Sequence, residues 1–172
     1  MTVLRLAWRR VRGRNADIFI PGDGRVYKLF RRGGNPRATE VSRSAFKAET
    51  QAYIIAASTP SLACHIPEYF GVQPIAGVLD AVGRNGGHRY LLDHCYAIQQ
   101  LTGEERAAFG VPDERLREVE DLLDEFDRCG VRYAADSSVF GWENREVLRF
   151  IDIATFDANV HAAMKGRRLT SA

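Results

Sequence analysis

A single lysine interrupts an apolar and aromatic run, Arg-Val-Tyr-Lys-Leu-Phe at residues 25–30, which follows the turn Pro-Gly-Asp-Gly at residues 21–24. Such a run after a turn predicts a β-strand. Because side chains alternate between the two faces of a strand, Lys28 shares its face with Val26 and Phe30. An unpaired ammonium beside two large apolar side chains costs free energy, so Lys28 either reaches water from an edge strand or meets a carboxylate or a phosphate.

The composition is that of a globular chain with nearly balanced charge. Of its 172 residues, 45% are hydrophobic and 27% are charged, and the formal net charge of +2 is too small to argue for a nucleic-acid partner. No segment approaches the roughly 20 apolar residues that cross a bilayer, and the start lacks the apolar run of a signal peptide. We therefore expect no membrane partner, and either a cytoplasmic location or delivery as an effector without a recognisable signal.

The cysteines and histidines do not predict a metal site or a disulfide framework. Cys64, Cys95 and Cys129 are widely separated and lack the short spacing of zinc ligands. The four histidines are equally scattered along the chain. Few, isolated cysteines are typical of a protein in a reducing compartment.

The first half of the chain predicts an antiparallel sheet with one helix. Two strands joined by a turn at residues 12–15 lie between Val3 and Ile20, and the strand that carries Lys28 follows them. A helix that begins near Ser42 or Ser44 carries Glu49 among small residues. Two further strands, at residues 66–72 and 89–94, give a five-stranded antiparallel sheet with the helix across one face.

The second half predicts more helix than strand. Residues 102–105, Thr-Gly-Glu-Glu, fit the capping-box pattern and predict a short helix that ends near Gly110. Apolar residues then recur every three or four positions from Asp113 onward, which predicts an amphipathic helix ended by Gly130. A strand at residues 147–153 is apolar, apart from Arg149, until it reaches Asp152.

Taken in order, these elements resemble the protein-kinase-like superfamily, especially compact bacterial kinases and the aminoglycoside-phosphotransferase type, over residues 10–156. In that family a glycine-containing turn covers the nucleotide phosphates, a strand lysine contacts them, and a glutamate on the following helix holds the lysine. Here the lysine would be Lys28 and the glutamate Glu49. The resemblance implies an α+β, minimal two-lobe fold, with a nucleotide-binding lobe at residues 1–94 and a small, mainly helical lobe at residues 95–172.

The same resemblance implies a set of site residues for ATP and Mg²⁺. Asp136 and Lys28 would be catalytic, and Asp152 would bind the metal. Residues 92–94 would connect the two lobes and offer backbone groups to an adenine edge, while two apolar side chains would flank the nucleotide. The implied cofactor-binding residues are Gly13, Asn15, Ile18, Val26, Lys28, Glu49, Leu92, Asp93 and His94.

The chain also departs from the family pattern, which leaves two functions open. Gly141 stands where the family has an asparagine that binds metal, and Ala134 and Ala135 replace the usual residues before Asp136. One function is an ATP-dependent phosphotransferase that moves a γ-phosphoryl group to a hydroxyl of a protein or small molecule. The alternative is a catalytically inactive pseudokinase that senses nucleotide or contacts a partner protein. A nucleic-acid-binding module ranks last, because aromatic residues do not interleave the terminal arginines at stacking intervals and acidic residues dominate the helix that begins at Asp113.

Overall fold

The structure, a computed structural model, describes residues 1–133, 138–143 and 146–155. Within these residues the chain is a mixed α+β protein with a five-stranded antiparallel sheet and two α-helices, α1 (Pro36–Ser58) and α2 (Asp113–Arg128). The strands are β1 (Thr2–Arg5), β2 (Arg9–Arg12), β3 (Ala16–Phe19), β4 (Arg25–Arg31), β5 (Tyr69–Val72), β6 (Ile75–Leu79), β7 (Tyr90–Gln99), β8 (Arg106–Ala107), β9 (Val131–Tyr133), β10 (Ser138–Phe140), β11 (Arg149–Phe150) and β12 (Ile153–Thr155).

The central sheet has the strand order β2-β3-β4-β7-β5, so β4 has a neighbour on each side. The three consecutive antiparallel strands predicted from the sequence are confirmed, and α1 falls between the third and fourth strands of the sheet. Gly22 and Gly24 form the turn before β4 with φ of 94° and 79°, a region that glycine adopts at little steric cost. The strand that carries Lys28 is therefore internal, and the alternative of an edge strand is wrong.

Helix α1 begins earlier than the sequence predicted. The side-chain oxygen of Asn35 accepts a hydrogen bond from the Ala38 N–H at 2.8 Å, and Pro36 is the first helical residue. Asparagine is a preferred N-cap, and proline suits the first turn because its missing N–H would have no partner there. Ser42 and Ser44, the predicted starts, instead lie buried within the helix.

Strand β7 is longer than predicted and continues to Gln99. Cys95 to Ile98 are buried and pair with β4, so the apolar run extends the strand beyond the polar pair Asp93-His94, at which the sequence suggested an end. Leu92, Asp93 and His94 therefore lie inside a strand and not in a connection that follows it, and the domain boundary predicted after residue 94 falls within β7. Their contact with an adenine edge stays a prediction.

The described chain forms two compact units. The first comprises residues 1–47 and 70–100, and the second comprises residues 48–69 and 101–155, so α1 contributes to both. The first contains the sheet and the parallel pair β1/β6. Its core lies on one sheet face and consists of Leu4, Phe19, Tyr27, Leu29, Ile75, Val78, Tyr90, Cys95 and Ala97.

The second unit combines α2 with short strands. The amphipathic helix is confirmed, with Val119, Leu123 and Phe126 buried and the Phe126 ring 5.4 Å from that of Phe150. Of the short helix predicted to end near Gly110, only a 3-10 helix at Ala108–Gly110 is present, because residues 106–107 form β8 and pair with β10. A mainly helical second lobe is not shown in the described residues, since five short strands accompany α2.

The two units carry opposite charges. Residues 1–47 and 70–100 contain 14 Lys and Arg against 5 Asp and Glu, a formal charge of +9. Residues 48–69 and 101–156 contain 7 Lys and Arg against 16 Asp and Glu, a formal charge of −9. These two charges cancel, and the formal charge of +2 of the whole chain is that of the remaining residues 157–172.

None of the described helices has both the length and the apolar character needed to span a membrane.

Candidate functional site

Lys28 lies at the centre of the sheet. On β4 it is half-buried, directly opposite Ile18 of β3 and Tyr96 of β7. Val26 precedes it by two positions and so lies on the same face. Three of the predicted nucleotide-site residues, Ile18, Val26 and Lys28, are therefore brought together on one face of the sheet.

Helix α1 packs on this same face. The ring centroid of Phe46 lies 5.5 Å from that of Phe30, which shares the face of Lys28, and 4.8 Å from the imidazole of His94. Glu49 follows Phe46 by three positions, so both side chains project from the same side of the helix. Glu49 is half-buried. Its predicted pairing with Lys28 stays a prediction.

In the second unit, two predicted site residues converge on Tyr53. This tyrosine is fully buried, and its ring stacks on Tyr69 with centroids 5.4 Å apart. Burial raises the pKa of Tyr53 well above its ordinary value, and the negative charges of Asp152 and Glu49 raise it further. Glu49 and Asp152, which are far apart in sequence, therefore lie in the same electrostatic environment.

Asp152 occupies an unusual turn between β11 and β12. It is exposed, and its φ of 59° makes it the one non-glycine residue with positive φ in the part of the chain that the structure describes. Aspartate tolerates this conformation better than most residues, and unusual backbone conformations cluster at functional sites. Strand β12 pairs with β9, with Ile153 opposite Tyr133. Asp136, the predicted base, follows β9 closely in sequence but lies outside the described residues.

Gly141 is held in a conformation that excludes a side chain. Its φ is 76°, and a Cβ atom at this position would collide with the carbonyl group of Val147. Buried Arg115 of α2 donates hydrogen bonds to the carbonyl oxygens of Gly141 and Trp142 at 3.3 Å and of Glu146 at 2.9 Å. The loop is therefore fixed to α2, and an asparagine could not replace the glycine without a change in the backbone.

The turn between β2 and β3 is tight and closely bonded. The Gly13 N–H donates to the Ala16 carbonyl oxygen at 2.9 Å, and the Arg31 N–H donates to the Asn15 carbonyl oxygen at 2.8 Å. Asn15 lines a cavity of about 530 Å³ in the first unit, which also contains six arginines and Asp17. We call this space the arginine cavity; its arginines are Arg9, Arg12, Arg14, Arg31, Arg32 and Arg89.

A buried carboxylate lies in the wall of the arginine cavity. Asp17 accepts hydrogen bonds from Arg31 at 2.8 Å and from the Tyr90 hydroxyl at 2.7 Å, and Arg9 is 3.4 Å away. Burial, and then the hydrogen bond to Asp17, raises the pKa of Tyr90 to about 12. Because Asp17 is opposite Leu29 in the β3/β4 register, it lies on the sheet face opposite to Lys28.

The sequence did not single out this network. The signal that could have found it is an acidic residue, Asp17, between apolar neighbours in a strand, together with the crowding of arginines at residues 9–14. A charge in such a strand needs partners, and the nearby arginines are of the right type.

The described side chains provide only part of what a Mg²⁺ site requires. Within residues 1–133, 138–143 and 146–155, no group of three or more His, Cys, Asp or Glu side chains could hold a metal ion. Mg²⁺ is usually held by one or two carboxylates together with substrate phosphates. The exposed carboxylate of Asp152 is a ligand of that kind.

Neither a scan against protein-family models nor a search of curated proteins finds a match for this chain, so its function has to be inferred from its own side chains.

Proposed function

We propose that the chain is an atypical minimal kinase, which binds ATP with Mg²⁺ and transfers the γ-phosphoryl group to a hydroxyl of a protein or small molecule. The observation that carries this proposal is the position of Lys28. It is a half-buried lysine on an internal strand, on the sheet face against which Phe46 of α1 packs. A lysine strand followed by a glutamate-bearing helix is the order in which kinase-like proteins build their phosphate site.

Each residue of the proposed site has a separate role. Lys28 contacts the phosphates, and Glu49 orients its ammonium group while leaving donors free. Ile18 and Val26 supply apolar contact beside Lys28, and Asp152 is the metal ligand. Mg²⁺, when bound, would neutralise part of the phosphate charge.

The transfer step requires a base for the acceptor hydroxyl, which we assign to Asp136. Its carboxylate takes the proton as the hydroxyl oxygen bonds to the γ-phosphorus and the bond from that phosphorus to the leaving ADP oxygen breaks. The protein contributes mainly positioning and electrostatic stabilisation, which fits a site made of one lysine and a few carboxylates.

The proposal predicts that Lys28→Ala and Asp152→Asn impair ATP turnover. We expect each to lower the Mg²⁺-dependent release of γ-phosphate by about 100-fold or more, since each removes charge stabilisation. Asparagine is chosen at position 152 because it also tolerates positive φ, so that the turn is kept. Lys28→Ala should also lose the rise in melting temperature that ATP produces.

Exposed residues of the same types provide the controls. Lys47→Ala and Asp124→Asn alter exposed side chains on α1 and α2, and neither should change turnover. The proposal is wrong if ATP neither binds nor turns over, or if all four variants behave alike.

Gly141 favours a second candidate, a pseudokinase that binds nucleotide and acts through a partner. The backbone at Gly141 leaves no room for the asparagine that would complete a metal site. Under this alternative, ATP would raise the melting temperature in a Lys28-dependent way, while γ-phosphate release would stay at background in wild-type protein. Release that depends on Asp136 would rule it out.

A further inference from the structure

The arginine cavity has the size and position of a small-ligand site. Its volume of about 530 Å³ lies in the range typical of small-molecule pockets, roughly 300–1,000 Å³. It opens where β2 ends, β3 begins and β4 ends, and the first turns of α1 also line it. Asp17 in its wall lies on the sheet face opposite to Lys28, and Lys28 does not line the cavity, although Asn15 of the turn expected to cover the ATP phosphates does.

The cavity has a large excess of positive charge. Six guanidinium groups face one carboxylate, that of Asp17. Arg31 and Arg9 are next to this carboxylate. The other four arginines of the lining are exposed, and no carboxylate among the described residues pairs with them. They are Arg12, Arg14, Arg32 and Arg89. The surrounding unit, at +9, offers no acidic surplus to offset this charge.

The buried network holds the backbone that carries these arginines. Arg31 donates to Asp17 and also to the carbonyl oxygens of Gly13 and Arg14, which ties the β2/β3 turn to β4. The Arg32 N–H donates to the Arg89 carbonyl oxygen at 2.9 Å, which joins the residues that follow β4 to the residues that precede β7. A ligand would meet a wall that is already ordered, which lowers the cost of binding.

From these observations we infer that the arginine cavity binds a small ligand that carries several phosphate groups. Arginine matches phosphate oxygens with paired N–H donors, and one phosphate would leave most of the four free guanidinium groups unmatched. A nucleic acid fits less well, because among the described residues that line the cavity the one aromatic side chain is buried Tyr90, whose hydroxyl is bonded to Asp17 and which offers no exposed ring for base stacking.

The test uses inorganic tripolyphosphate, which has no nucleoside, in titration calorimetry with the full chain. We expect wild-type protein to bind it, and Arg12→Gln and Arg89→Gln to weaken binding by about tenfold each, the loss expected for a charged hydrogen bond. Both side chains are exposed, and neither forms an ion pair with a carboxylate in the described part of the chain. The melting temperatures of the two variants should therefore match that of wild type.

Two further variants separate this site from general charge and from the ATP site. Arg10→Gln removes an exposed arginine of β2 that does not line the cavity, and Lys28→Ala removes the proposed ATP contact. Neither should change tripolyphosphate binding, whether or not the chain binds ATP.

Four results would overturn the inference. These are no binding by wild-type protein, an equal loss in Arg10→Gln, a loss in Lys28→Ala, or tighter binding of a single-stranded oligonucleotide than of tripolyphosphate with dependence on Arg12 and Arg89. The last result would assign the surface to nucleic acid.

Discussion

Asp17 is a charged side chain inside a strand whose neighbours are apolar, and it is only 1% exposed. Such a carboxylate is tolerated because Arg31 and Tyr90 replace the water that it loses. The network does more than neutralise a charge, since Arg31 also holds the β2/β3 turn. Through Arg31, Asp17 therefore helps to hold in place the β2/β3 turn, which lines the arginine cavity.

Replacement of Asp17 by asparagine should strongly destabilise the fold. The change keeps the shape but leaves Arg31 without its carboxylate, and breaking a buried ion pair typically costs about 3–5 kcal/mol. Urea unfolding measures this loss. Asp121→Asn, an exposed change on α2, should stay within about 0.5 kcal/mol of wild type. Equal stabilities of the two variants would contradict the role given to Asp17.

Tyr90 makes part of this stability depend on pH. Its pKa of about 12 in the folded chain lies above the ordinary value of 10.0, so the protonated hydroxyl stabilises the fold. This contribution is complete below pH 10 and is lost as the pH rises through 12. The difference in free energy of unfolding between wild type and Tyr90→Phe should be constant up to pH 10 and shrink above it. A difference that is unchanged at pH 12 would show that Tyr90 does not titrate as described.

The two key residues of the sheet differ in how far the sequence predicts them. Lys28 is recognisable because its own strand and turn are local signals. The environment of Asp17 is not, because Arg31 and Tyr90 are 14 and 73 positions away, and only the pairing of the strands brings them together. Asp152 is an intermediate case: the sequence predicts an apolar strand that reaches it, but neither the break between β11 and β12 at Asp152 nor its positive φ.

Local sequence determines where α1 begins, whereas pairing with another strand determines where β7 ends. The sequence Asn35-Pro36 is a pair that favours the start of a helix, so the start of α1 follows local chemistry. The end of β7 was not readable at Asp93-His94, because pairing of Cys95 to Ile98 with β4 carries the strand onward. Residues 106–107 likewise became a strand because β10 pairs with them.

The loop after β10 provides a test of backbone restraint. Gly141 and Gly130 have nearly equal φ, 76° and 77°, but a side chain would collide with Val147 only at Gly141, while Gly130 is open. Gly141→Asn should therefore cost roughly 2 kcal/mol or more. Gly130→Asn should cost less than about 1 kcal/mol, because asparagine is accepted at the end of a helix.

Urea unfolding of the two variants gives the comparison. Equal losses would show that the positive φ alone, and not the Val147 carbonyl, restrains Gly141. A stable Gly141→Asn protein with increased γ-phosphate release would instead favour the phosphotransferase over the pseudokinase.

For the molecule as a whole, the sequence predicts the fold better than it predicts where the charged side chains gather. Alternation of side chains and turn residues predicted the sheet, its five strands and the helix between the third and fourth. The arginine cavity was not predicted, because its arginines come from three separate segments, residues 9–14, 31–32 and 89. The net charge of +2 is too small to argue for a nucleic-acid partner only because two large and opposite charges cancel.

This cancellation has a consequence for how copies of the protein behave together. A molecule with one unit at +9 and another at −9 is attracted to its own copies, since the basic unit of one copy complements the acidic unit of the next. At low ionic strength this attraction reaches well beyond contact distance, whereas at about 0.15 M salt it is screened within roughly 8 Å. We therefore expect copies of the protein to associate in dilute buffer and to separate as salt is added, which light scattering at increasing ionic strength would measure.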